Sequence, residues 1–261
     1  MRIGVRVPSF LLGGIWRRGE YLFEKYLETA YKAGFDGVEI TTPYPLSKWL
    51  SESEIYKMVK SLEDYGLEAP SLSADWMWVY SIYHRRFNDW LRCGLAANFL
   101  EGELKFAEKL NVKVILLHLG SSMGSWAEAK KILTELSELA GKYRIKLGFE
   151  SNSWPYTGLG DIRSLVRMVD EIKSKWFGVY LHYSDGNSKT SDLAPHEEIE
   201  LVGERIVCLH SSGISFNTQI DYEKLLRALK KYYNWYWIFE VPKETFKRNL
   251  MAIRHLLKMY W

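Results

Sequence analysis

The chain has little cysteine, almost no glutamine and no long apolar run. Its two cysteines, Cys93 and Cys208, cannot frame a disulfide-stapled fold, and Cys208 inside Ile206-Val207-Cys208-Leu209 reads as a small buried hydrophobe. No stretch approaches the roughly 20 apolar residues that span a bilayer. The opening Met1-Arg2-Ile3-Gly4-Val5-Arg6-Val7 enters a strand pattern without a signal-peptide core, so a cytoplasmic protein with no membrane partner is expected. No excess of one charge exists either: 35 Lys and Arg face 32 Asp and Glu, a net +3 spread along the chain. That balance neither requires nor excludes nucleic acid. No G-x-G-x-x-G loop follows the first strand pattern, which removes the usual dinucleotide site. No linker or low-complexity segment interrupts residues 1–261, which are read as one domain. Gln219 is the sole glutamine beside abundant Lys and Glu, a composition expected of a heat-adapted source.

What is present is regular. With 47% hydrophobic residues, 261 residues can bury a large core. Strand patterns fall at 2–7, 35–40, 67–72, 112–118, 145–150, 177–182, 205–210 and 235–240, with helical patterns between them. Helices over about 20–33, 52–65 and 126–140 are expected to end at Gly34, Gly66 and Gly141, where glycine provides a left-handed cap. Ser51 with Glu54 and Ser125 with Glu128 have capping-box spacing. Eight strands alternating with helices predict a parallel sheet closed into a (β/α)8 TIM barrel, class α/β.

Five of the apolar runs end on a polar, metal-competent side chain: His118, Glu150, His182, His210 and Glu240. A charge at the end of a buried strand is costly to desolvate unless an opposite charge or a cation meets it. In a barrel these ends share one mouth, so Glu150, His182, His210 and Glu240, from the fifth to eighth strands, converge. Two carboxylates and two imidazoles suit one Mn²⁺, Zn²⁺, Co²⁺ or Fe²⁺ better than Mg²⁺. His118 and Asp75 extend the set. A Glu–His hydrogen-bond network without metal is the competing arrangement. The segment from about 73 to 95, rich in aromatics and arginine, is read either as a lid or as extra helix over the mouth.

The motifs Ala33-Gly34-Phe35-Asp36-Gly37-Val38-Glu39-Ile40, Gly66-Leu67-Glu68-Ala69-Pro70-Ser71-Leu72, and Ala107-Glu108-Lys109-Leu110-Asn111 with His118-Leu119-Gly120 resemble the xylose isomerase-like barrel superfamily. That superfamily includes sugar isomerases and epimerases, inosose dehydratases and endonuclease IV-type enzymes. The resemblance to its ketose 3-epimerase branch implies one metal on Glu150, His182, His210 and Glu240, with Glu150 and Glu240 moving the proton beside the carbonyl. It implies a carbohydrate substrate, packed by Trp76, Trp78 and Trp154 and contacted by Asp75, His118 and Asp185. A homodimer is compatible with the exposed aromatics.

Two departures mark this chain. The sixth strand reads His182-Tyr183-Ser184-Asp185 where the family has Asp-x-x-His, and the seventh reads His210-Ser211-Ser212-Gly213 where an acid is usual. Asp185 is then a substrate contact, a carboxylate that orients His182, or, if the strand is shifted, the ligand in place of His182. The expected activity is a divalent-metal-dependent isomerase or epimerase working through an enediolate. An endonuclease IV-like phosphodiester hydrolase is the second reading, although nucleic acid is not the expected partner. A non-catalytic barrel without its metal is the third.

Overall fold

A computed structural model describes residues 1–7, 16–42, 50–75, 95–117, 125–151, 161–185, 191–214 and 220–261. Among the described residues, eight strands alternate with eight α-helices: β1 (Arg2–Arg6), α1 (Trp16–Ala33), β2 (Gly37–Thr41), α2 (Glu52–Asp64), β3 (Ser71–Ala74), α3 (Leu95–Lys109), β4 (Val114–Leu117) and α4 (Trp126–Lys142). The second half continues with β5 (Lys146–Glu150), α5 (Ile162–Ile172), β6 (Phe177–His182), α6 (Pro195–Val202), β7 (Ile206–Ser211), α7 (Tyr222–Tyr232), β8 (Tyr236–Phe239) and α8 (Phe246–Tyr260). All neighbouring strands pair in parallel, and β1 pairs with β8 to close the barrel.

The two-residue period of the strands separates two cores. Val5, Val38, Ile115, Leu147, Leu181 and Trp237 belong to the large core shared with the helices. Val114, Leu116, Tyr180, Cys208, Tyr236 and Ile238 form a second cluster inside the barrel. Cys208 is fully buried, and burial pushes its thiol up to about 12, as suits an inert hydrophobe. Gly148 makes room in that interior. A Cβ there would stand 2.8 Å from Val207 Cγ2 and 2.9 Å from the Tyr180 Cβ.

Both capping boxes form: Ser51 and Glu54 open α2, and Ser125 and Glu128 open α4. Gly34 and Gly66 take the expected positive φ, 96° and 62°. Gly141 does not. Helix α4 runs on to Lys142, and Arg144, at φ 57°, takes the left-handed turn instead. Gly141 serves packing, because a Cβ on it would lie 2.6 Å from Trp176 Cδ1. The third strand also shifts, from the expected 67–72 to Ser71–Ala74. Pro70 offers no N–H to a ladder, and upstream of it only an isolated bridge joins Gly37 to Glu68. No described helix is long and apolar enough to cross a membrane.

Candidate active site at the barrel mouth

The period-two rule that buries one strand face also turns the strand ends inward. Glu150 closes β5, His182 closes β6, His210 sits one residue before the end of β7, and Glu240 follows β8. Their backbones are tied across strands. The His182 N–H donates to Ser151 Oγ at 3.1 Å, and the Glu240 N–H donates to the Ser211 carbonyl at 2.9 Å.

The side chains then converge. His182 Nδ1 and His210 Nδ1 lie 3.4 and 3.3 Å from the same Glu150 Oε1. They stand 3.9 and 3.5 Å from the two oxygens of Glu240. The ligand atoms of Glu150, His182 and His210 fall within 4.8 Å of one another, as do those of Glu39, His210 and Glu240. His210 is fully enclosed, while the side chain of Glu240 remains 25% exposed. Among the described residues, Glu240 is therefore the exposed edge of the cluster.

The outward nitrogens are equally specific. His210 Nε2 meets Glu39 Oε1 and Oε2 at 3.0 and 3.1 Å. Glu39 is buried and also accepts from Ser71 Oγ, at 2.6 Å, and from the Tyr180 hydroxyl. His182 Nε2 faces Asp185 Oδ2 at 3.7 Å, beyond hydrogen-bond length. Asp185 is itself buried and accepts the Ser212 N–H at 2.5 Å. Each imidazole thus has a carboxylate behind Nε2 and presents Nδ1 to Glu150 and Glu240.

The charges follow from these neighbours. Burial alone would lower both histidines. Asp185, Glu150 and Glu240 instead hold His182 up to about 10, and Glu39, Glu240 and Glu150 hold His210 up to about 9. Burial would raise Glu39, yet His210, Arg6 and Ser71 draw it below its ordinary value. Arg6, the last residue of β1, adds a fixed positive charge. Its guanidinium contacts Glu240, reaches Asp75 Oδ1 at 2.6 Å and Ser73 Oγ at 3.3 Å, and stands 3.5 Å from Glu39 Oε1.

The structure brings together Glu150, His182, His210 and Glu240, with Asp75 and Asp185 at the edge of the group. Trp76, Trp78, His118 and Trp154 lie outside the described residues, as does most of the 73–95 segment. Sequence reasoning missed Glu39 and Arg6 as members of the site. The signal was available, since Glu39 is a charge inside a buried strand and Arg6 ends a strand as His182 does.

The donor chemistry fits a divalent ion. Two imidazole nitrogens and two carboxylates make a mixed nitrogen and oxygen set of the kind borderline metals take. Carboxylates behind the histidines are the usual outer support of such a centre.

Comparisons with known proteins agree with this barrel. The curated 3-oxo-isoapionate decarboxylase of Pectobacterium atrosepticum is 30% identical over 128 residues, which is 48% of this chain and 44% of that protein. The match thus spans less than half of the relative. A crystal structure of D-psicose 3-epimerase in the presence of D-fructose superposes with a TM-score of 0.75 at 15% identity, covering 98% of this chain and 99% of the other. The IOLI protein with a binding zinc atom gives 0.73 at 16% identity, covering 100% and 99%. At those identities the two structures speak for the fold alone. A family model described as xylose isomerase-like TIM barrel matches residues 27–260, and the chain belongs to that family.

Proposed function

We propose that the protein is a divalent-metal-dependent isomerase or epimerase of a sugar or related polyhydroxy carbonyl compound. The observation that carries this reading is the convergence of two imidazole Nδ1 atoms on Glu150 and Glu240, each imidazole backed by its own carboxylate. Glu150, His182, His210 and Glu240 would hold the ion. The chemistry supplied by an ion held there would be polarisation of a substrate carbonyl and stabilisation of the negative charge that develops on its oxygen. Zn²⁺, Mn²⁺, Co²⁺ and Fe²⁺ suit the two nitrogen donors better than Mg²⁺.

The remaining chemistry belongs to the chain. Removing a proton beside a carbonyl needs a carboxylate on one face of the substrate, and returning it on the other face needs a second. Glu150 and Glu240 are the two for that work. Glu150 lies deep between two histidines, whereas Glu240 lies at the open rim against Arg6. Asp185, held by the Ser212 N–H, places a negative charge 3.7 Å behind His182 Nε2. The epimerase and zinc-bound structures among the barrel's likenesses support a carbohydrate substrate and a metal.

The partial match to a 3-oxo acid decarboxylase supports a second reading of the same site. Loss of CO₂ from a 3-oxo sugar acid breaks a C–C bond and leaves its electron pair as an enediolate, which then takes up one proton. The chain's tasks are unchanged except that a carboxylate leaves in place of a proton.

One experiment separates these readings. Protein loaded with Mn²⁺ or Zn²⁺ is incubated in D₂O with a panel of ketoses and 3-oxo sugar acids, and followed by proton NMR. The epimerase reading expects deuterium beside a ketose carbonyl, abolished by Glu150→Gln and by Glu240→Gln. Release of CO₂ without exchange into any ketose establishes the second reading. Neither reaction from metal-loaded, folded protein overturns both.

A further inference from the structure

Glu240 is claimed twice. Its Oε1 lies 3.5 Å from His210 Nδ1, inside the candidate metal cluster, and the same Oε1 is the atom that Arg6 Nη1 contacts. Its Oε2 faces His182 Nδ1 at 3.9 Å. A divalent ion held by Glu240 beside the two imidazoles must therefore share this carboxylate with a guanidinium that already occupies it.

Arg6 is not a loose surface charge that steps aside without cost. Its side chain is 19% exposed, and it reaches three carboxylates, on Glu39, Asp75 and Glu240. Burial opposes its charge, but Glu240, Asp75 and Glu39 more than offset this and hold the guanidinium well above its ordinary value. The contact with Asp75, at 2.6 Å, and with Ser73, at 3.3 Å, uses Nη2, whereas Glu240 uses Nη1. The two edges of the guanidinium are thus divided between a retaining pair and an exchangeable one.

We propose that Arg6 is a resident cation that neutralises Glu240 in the metal-free protein and is displaced from it by the divalent ion, while Asp75 and Ser73 keep the guanidinium at the rim. This rests on the metal reading given above. Two consequences follow from Coulomb's law in a partly buried site. A positive charge already on Glu240 opposes a second one, so Arg6 weakens metal binding. Without Arg6 the metal-free mouth holds unbalanced carboxylates, so Arg6 stabilises the empty barrel. Arg6 is a positioning residue here: it acts through Glu240.

The test is isothermal titration of the full chain with Zn²⁺ in a competing weak chelator, together with thermal unfolding with and without EDTA. Arg6→Gln is expected to bind Zn²⁺ roughly tenfold or more tighter, as changes beside a ligand commonly shift affinity by that order. Its metal-free unfolding temperature is expected to fall, and Zn²⁺ to restore it. Arg6→Lys, which keeps the charge, is expected to bind close to wild type. Asp75→Asn, which removes the charge that holds Nη2 and leaves the guanidinium to Glu240 and Glu39, is expected to bind more weakly. A merely structural arginine predicts the reverse, with weaker Zn²⁺ binding in Arg6→Gln, and that result overturns the proposal. If Arg6→Gln does not fold without metal, unchanged affinity in Asp75→Asn overturns it. Absence of Zn²⁺ binding to the wild-type chain overturns the metal reading itself, a separate outcome.

Discussion

Strand β1 carries an arginine at each end, and the two have opposite fates. Arg2, at the amino end, pairs with Glu68 across a surface where the two side chains are 46% and 58% exposed, and lies 4.6 Å over the Tyr236 ring. Arg6, at the carboxyl end, meets Glu39, Asp75 and Glu240 at the rim of a largely enclosed site. Residue type, strand and facing parity are the same. The difference is solvent: water screens and replaces the Arg2 pair, whereas Arg6 and its three carboxylates are largely shielded from it. Charges at the foot of the barrel lie in water, and charges at the mouth are held against one another.

The largest expected effect separates the two arginines in the metal-free protein. Arg6→Met is expected to lower stability by about 3–5 kcal/mol, the scale for removing one partner of a buried pair. Arg2→Met is expected to cost about 0–1 kcal/mol, as exposed pairs do. Urea unfolding in EDTA measures both, and equal losses break the distinction between the two ends.

Next come the carboxylates. Glu39→Gln removes the charge behind His210 Nε2 and is expected to weaken Zn²⁺ binding about 10–100-fold, the range for lost outer support. Glu68→Gln, at the foot, is expected to leave it unchanged. Competition against a chromophoric chelator reads both affinities, and a Glu39→Gln chain that binds like wild type detaches Glu39 from the site.

Two glycines sharpen the comparison at smaller scale. Gly148→Ala forces a Cβ against Val207 and Tyr180, at an expected cost of about 1–3 kcal/mol. It is also expected to weaken Zn²⁺ binding, because Tyr180 supports Glu39. Gly66→Ala meets no atom within 4 Å and is strained only by its φ of 62°, a cost of about 1–2 kcal/mol with metal affinity intact. Metal affinity, not stability, tells these two apart.

The smallest effect lies in the helical shell. The Trp126 indole N–H, Arg167 and Lys130 draw Glu171 down to about 2. Because its folded value lies below its unfolded one, its stabilisation is complete above about 4.5 and disappears as pH falls through about 2. Glu171→Gln is expected to flatten that acid limb and to leave the mouth untouched. A variant with the wild-type acid profile removes Glu171 from the account.

Much of the barrel was legible because local rules and global closure agree. The two capping boxes, Gly34 and Gly66 all formed as their residues dictate. Gly141 misled because glycine has two uses, a left-handed cap and a missing side chain, and only Trp176 in three dimensions decides between them. Pro70 moved β3 because a missing N–H outweighed an apolar pattern. At the mouth, strand-end position pointed to Glu150, His182, His210 and Glu240, which the fold brings within a few ångströms of one another. Glu39 was overlooked because it lies inside its strand rather than at the end, and its reach to His210 crosses the barrel, which no sequence spacing encodes. The Arg6 contacts to Asp75 and Glu240 likewise join segments 69 and 234 residues apart.

Under the proposed function, the two imidazole Nδ1 atoms, with Glu150 and Glu240, hold one divalent ion. Zn²⁺ titration of wild type, His182→Ala, His210→Ala and Asp185→Ala, each checked for folding by circular dichroism, tests it most directly. One ion per wild-type chain is expected, with binding lost or sharply weakened in both histidine variants and only moderately weakened in Asp185→Ala. Full binding in His182→Ala with loss in Asp185→Ala would contradict the account and make Asp185 the ligand of the sixth strand.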